Sequence, residues 1–180
     1  MRRRHPNPQH TLKPQDLLVL LKLCTLKPLA DPSYRQLAPE IGMTKSEVHA
    51  AMKRLQDAAL LREIDGRLQP VRDAVKDFVV YGARYAFPPV RGETTRGMVT
   101  AWGAPPLRAK FVQEADAAPV WPHPKGEARG PALYPLYPGA PDAAMQDAAL
   151  YELLALFDAL RNGRAREREM AKPMLLERLT

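Results

Sequence analysis

Two helix-start signatures separated by a single glycine occupy residues 33–47, and nothing else in the chain constrains the fold as tightly. Ser33 is followed three residues later by Gln36, and Thr44 by Glu47. In each pair the hydroxyl can accept the backbone N–H three residues on, while the Gln or Glu side chain reaches back to the first residue. Between them Ile41-Gly42-Met43 supplies a turn, with Gly42 free to adopt the positive φ that ends a helix. The apolar spacing agrees. Tyr34, Leu37, Ala38 and Ile41 fall at i, i+3, i+4 and i+7; Val48, Ala51, Met52 and Leu55 repeat the pattern, extended by Ala59. Each helix therefore carries one stripe to bury. Opposite the second stripe lie Lys45, Ser46, His49, Lys53 and Arg54, donors or small groups on an outward face.

Immediately downstream, Leu60-Leu61-Arg62-Glu63-Ile64 and Arg67-Leu68-Gln69-Pro70-Val71 flank Asp65-Gly66. An Asp-Gly pair between extended segments predicts a hairpin, because a type I′ turn needs positive φ twice. Arg62 and Arg67 fall on this hairpin. With the run SYRQLAPEIGMTKSEVHAAMKRLQDAALL, the arrangement over residues 14–71 resembles the winged helix-turn-helix transcriptional regulators of the MarR-like kind. The resemblance implies a module whose second helix enters the major groove of DNA and whose wing grips the flank. Docking onto another protein is the alternative use of such a module.

Charge refines this picture. The 180 residues carry a net charge of +7, yet residues 31–71 hold six basic and six acidic residues. The module's cations are sorted onto one side rather than present in excess, which suits specific binding with few phosphate contacts. Residues 1–30 carry six basic residues against one acidic residue. Arg2, Arg3 and Arg4, followed by His5, Pro6 and Pro8, read as a basic arm able to follow a DNA backbone or enter a minor groove; a solvated tail is the alternative.

Composition divides the chain further, into an arm (1–13), the winged module with a trailing helix (14–87), a Pro/Gly/aromatic segment (88–141) and C-terminal helices (142–180). Residues 17–26 read as the module's first helix, with Cys24, the single cysteine, inside it as a small buried apolar residue. Residues 72–87 read as one helix with Val75, Phe78, Val79 and Tyr81 or Gly82 on its stripe, stopped by Pro88-Pro89. Residues 88–141 hold eleven of the 19 prolines and six of the ten glycines, with Trp102, Trp121, Tyr134 and Tyr137 between. The aromatics argue against disorder and for an irregular wrap with little sheet, LRAKFV (107–112) forming a brief helix or strand. Beyond it, Leu150, Leu153, Leu154, Phe157 and Leu160 form a helical face ended by Asn162-Gly163, and Pro173 begins or kinks a last helix bearing Met174, Leu175, Leu176 and Leu179. These terminal helices are either a dimerisation element or cover for the wrap. The fold class is mainly α, of α+β type.

Chemistry is sparse. His5, His10, His49, His123 and Cys24 lack ligand spacing, so no metal site is expected. Lys125-Gly126 lacks the surroundings of a phosphate loop, and no Ser or Cys has a nucleophile's flanking pattern. No catalytic residue and no cofactor is expected. No stretch approaches the ~20 apolar residues of a membrane span, and a cytoplasmic location follows. The residues thus predict a sequence-specific double-stranded DNA-binding transcriptional regulator, a repressor acting as a homodimer, with Lys45, Ser46, His49 and Lys53 in the major groove. Arg54, Arg62 and Arg67 would hold phosphates or the minor-groove edge. Two alternatives stand beside it. One is an antitoxin or adaptor that holds a protein partner and autoregulates; the other is a one-component ligand sensor using the aromatics at 102, 121, 134 and 137.

Overall fold

The computed structural model describes residues 11–27, 30, 32–111 and 117–180, and the architecture is α+β. Its first helix, α1 (Pro14–Thr25), opens with proline at its first position, and Asp16 accepts the Lys13 backbone N–H at 2.8 Å. Leu17, Leu18, Val19, Leu20, Leu21, Leu23 and Cys24 are all buried. A helix apolar around its whole circumference belongs in the middle of a core, and α1 packs against α3, β2 and α7. Burial pushes the Cys24 thiol up to about 11, so it is protonated and inert at neutral pH.

Next come α2 (Tyr34–Glu40) and α3 (Lys45–Asp57), and both expected capping boxes form. Gly42 takes φ +65° in the turn between them. Leu37, Ala38, Ile41, Val48, Ala51, Met52 and Leu55 are buried, as the periodicity requires. Ala59 departs from that stripe. It follows the end of α3 with φ 57° and is exposed, because the chain must reverse there to enter the hairpin. Strands β1 (Leu61–Ile64) and β2 (Arg67–Pro70) pair antiparallel around Asp65 and Gly66, whose φ values of 51° and 76° supply the two left-handed residues of the turn.

Residues 72–87 are not one regular helix. A short α4 (Arg72–Asp77) passes through a wide π-helical turn (Phe78–Gly82) into α5 (Ala83–Ala86). The added residue rotates the register, burying Val75, Val79, Val80, Ala83 and Phe87 while leaving Tyr81 58% exposed. Phe78 sits directly beside Gly82, and a Cβ there would lie 3.1 Å from its ring.

The Pro-rich segment contains more sheet than its composition suggests. A nine-residue strand, β3 (Arg91–Val99), pairs antiparallel with β5 (Ala128–Leu133) along its first part and with β4 (Val120–Pro122) at its end. A parallel bridge from Val120 to Ala132 closes the three strands on themselves. Single 3-10 turns, Ala101–Gly103 and Arg108–Lys110, fill the connection after β3. Closure this tight brings backbones into contact, so Gly97 and Gly126 have no room for a side chain against Trp121 and each other.

Helices α6 (Ala140–Gln146), α7 (Ala148–Asn162) and α8 (Ala165–Arg178) complete the chain. Leu150, Leu153, Leu154, Leu156, Phe157 and Leu160 of α7 are buried against α1, α5, α6, α8 and the first 3-10 turn. The face expected to be available for dimerisation is therefore covered within the chain, and one core runs from α1 to α8. Gly163 ends α7 with an ordinary φ of −71°; a Cβ there would collide with the Ala159 carbonyl. Pro173 lies inside α8 rather than at its start. It is exposed, and it supplies no N–H to the carbonyl four residues earlier. Among the described residues no helix is long and apolar enough to cross a membrane.

Candidate nucleic-acid interface

At 100° per residue, Lys45, Ser46, His49 and Lys53 span roughly 100° of arc on α3. All four are exposed, and the helix's buried stripe faces the other way. The imidazole of His49 meets the ring of Tyr34 on α2 edge-on, with centroids 5.4 Å apart. That contact orients an otherwise mobile side chain and leaves it on the outer surface. Arg62 and Arg67 project from the hairpin and are exposed. The structure thus gathers six of the expected residues on two consecutive elements. Arg2, Arg3 and Arg4 lie outside the described residues.

Arg54 does not belong with them. Its Nε and Nη2 donate to the two carboxylate oxygens of Asp16 at 2.7 and 2.6 Å. Asp16 is wholly buried in α1, and a buried carboxylate is tolerated only when it is paired and hydrogen-bonded. The hydrogen bonds from Arg54 to Asp16 raise its own pKa further, against the opposing effect of burial. Its position on the border of the apolar stripe allowed either orientation; the acid on α1 draws it inward.

The amino-terminal end of α3 is tied from elsewhere in the chain. Thr44 donates both its backbone N–H and its hydroxyl to Glu47, each at 2.8 Å. Those bonds, the backbone one first, hold the Glu47 carboxyl below its usual range. Glu47 also accepts the Tyr137 hydroxyl at 3.3 Å, and Gly139 packs its backbone against that of Gly42. Burial, with the Glu47 charge behind it, pushes the Tyr137 phenol up. Tyr137, one of the four aromatics expected to mark a ligand site, instead bonds the start of α3, and no local sequence pattern links it to Glu47.

Two further polar clusters hold the surrounding frame. Asp158 on α7, 2% exposed, accepts Thr100 Oγ1 at 2.7 Å, Trp121 Nε1 at 2.6 Å and Arg161 Nε at 2.7 Å. This pins the closed sheet to the helical core. Lys22 on α1 bridges Glu40 and Asp147, each at 2.8 Å. Burial disfavours the charge on both Lys22 and Asp147, but their hydrogen bonding outweighs it, raising Lys22 and lowering Asp147.

Among the described residues, no group of three or more His, Cys, Asp or Glu is placed to hold a metal ion. What the exposed arc offers chemically is hydrogen-bond donation and positive charge, without a nucleophile paired to a base. Comparison of the chain with protein-family models, curated proteins and solved structures gave no match.

Proposed function

We propose that this protein is a sequence-specific double-stranded DNA-binding transcriptional regulator of the winged helix-turn-helix type. The observation that carries the reading is the outward arc of α3, with Lys45, Ser46, His49 and Lys53 exposed beside a hairpin bearing Arg62. An α-helix with side chains is about 10–12 Å across and the B-DNA major groove about 12 Å wide, so the element fits. Lysines suit guanine O6 and N7 or phosphates; a serine or histidine reads a base edge as donor or acceptor. Arg62 and Arg67 would hold the flanking backbone. The small number of exposed cations favours sequence reading over non-specific coating.

Such a reader bound across a promoter blocks polymerase, so repression is the mode proposed. Two copies on one operator would contact half-sites about one helical turn apart. Selection from a random duplex pool, followed by footprinting, tests both statements. A single enriched motif with paired half-sites is expected; no enrichment over the starting pool refutes the reading. In gel shifts across a salt series, Lys53→Ala is expected to reduce the salt slope by about one, and His49→Ala to relax base preference. Unchanged binding by both variants would remove α3 as the reading helix.

A further inference from the structure

The closed sheet leaves space on one side that its own residues do not fill. A cleft of about 770 Å³ opens between the end of β3, the two 3-10 turns, the turn preceding β5, and α6. Small-molecule sites usually measure about 300–1,000 Å³. Its floor is apolar. Trp102 and Phe111 stand 6.2 Å apart with their rings inclined at 51°, forming a corner, and Met98 and Met145 face the same space. Thioethers are polarisable and adjust to a flat aromatic body. Met145 is 43% exposed.

The rim is polar and lopsided. Among the described residues, Arg108 and Lys125 line the cleft with a single carboxylate, Glu127. Neither cation has a hydrogen-bonding or ion-pairing side-chain partner among the described residues. Gly97, Gly103 and Gly126 form part of the wall and keep it free of side chains. An apolar floor with a few convergent polar groups is the usual form of a ligand site. Here those groups are cationic.

We propose that this cleft binds a small organic anion with a flat apolar body. Its carboxylate or sulfonate is held by Arg108 and Lys125, and its body lies against Trp102 and Phe111 with the methionines closing on it. Arg108 supplies the planar fork that matches such a group, and Lys125 a second point charge. Of the four aromatics expected to mark a ligand site, Trp102 alone lines the cleft. Trp121 is buried on Asp158 and Tyr137 binds Glu47, so neither is available to a ligand. The proposal does not depend on DNA binding.

Fluorescence titration of the full chain tests it, with anilinonaphthalene sulfonate as the anionic probe and N-phenyl-naphthylamine as its uncharged analogue. Saturable binding of one sulfonate per chain is expected, with energy transfer from tryptophan. The double variant Arg108→Gln, Lys125→Gln is expected to weaken the sulfonate by about tenfold or more, since hydrogen bonds to charged groups are the stronger ones. The neutral probe should bind both proteins alike, and Trp102→Leu should weaken both probes. Arg108 and Lys125 are exposed, so the double variant should keep the parent's near-ultraviolet circular dichroism. Equal sulfonate affinity in parent and double variant overturns the proposal, as does the absence of saturable binding.

Discussion

Replacing Arg54 by alanine strands a carboxylate in the core. The Asp16 side chain is 1% exposed and that of Arg54 is 16% exposed, so water has little access from either side. The substitution removes bonds of 2.7 and 2.6 Å and leaves Asp16, among the described residues, with the Lys13 N–H. Breaking a buried ion pair by removing one partner costs about 3–5 kcal/mol. Arg54 keeps some contact with solvent, which places the expectation near the lower end, about 3 kcal/mol. For a chain of this length that corresponds to a fall of roughly 10 °C in Tm. Urea unfolding followed by circular dichroism should show a lower midpoint with an unchanged slope. The double variant Asp16→Asn, Arg54→Met should lose less than the two single changes together, because a neutral amide retains the Lys13 bond and no charge is stranded. In gel shifts below its Tm, the alanine variant should keep the parent's salt slope. A stability loss under about 1 kcal/mol, accompanied by a shallower salt slope, would refute this reasoning and return Arg54 to the DNA-facing set.

Three further outcomes follow from the same structure. Asp158→Ala leaves Arg161, whose side chain is 3% exposed, without its carboxylate and should cost about 4 kcal/mol; Thr100→Val removes one of three donors and should cost about 1.5 kcal/mol, and a reversed order in urea unfolding would contradict the cluster. For Asp147, held below its ordinary 3.8, stability is present above that value and lost as pH falls through the folded pKa. For Lys22, raised above 10.5, stability is present below that value and lost as pH rises through the folded pKa. Urea midpoints measured across pH should therefore fall on both sides, and Asp147→Asn should flatten the acid limb; an acid limb unchanged in that variant would count against the pair. Gly126→Ala drives a methyl group into the Gly97 backbone and should cost about 3 kcal/mol, whereas Gly66→Ala meets open space and pays only for φ +76°, about 1 kcal/mol, so equal losses by thermal melting would exclude the close backbone crossing.

Features written within four residues of one another were legible in the sequence. Ser33 with Gln36, Thr44 with Glu47, Gly42 in its turn, and Asp65-Gly66 in theirs are local devices, and each forms as expected. Features joining distant residues were not. Asp16 and Arg54 are 38 positions apart, Thr100 and Asp158 are 58, and no period or spacing connects them. Asp16 inside an apolar run was the available signal, since a charge there needs a partner. The sheet was hidden for a different reason. β3 reads RGETTRGMV, where polar residues on an exposed first half and Gly97, required by close backbone packing, leave none of the apolar alternation that marks a strand. The π-helical turn likewise left no mark, because one added residue shifts a stripe without abolishing it.

These distant contacts determine how α3 is presented. The helix is held from behind near both ends. Toward its start, Tyr137 reaches Glu47 and the Gly139 backbone rests on Gly42; toward its finish, Arg54 is locked onto Asp16. The two restraints are unequal. A 3.3 Å bond to a partly exposed carboxylate is screened by water, whereas the Arg54–Asp16 pair is shielded from it. Of these two side-chain ties, the one nearer the hairpin is therefore the stronger. That difference follows from which side chains the core took for itself, and Arg54 is the residue that sets it.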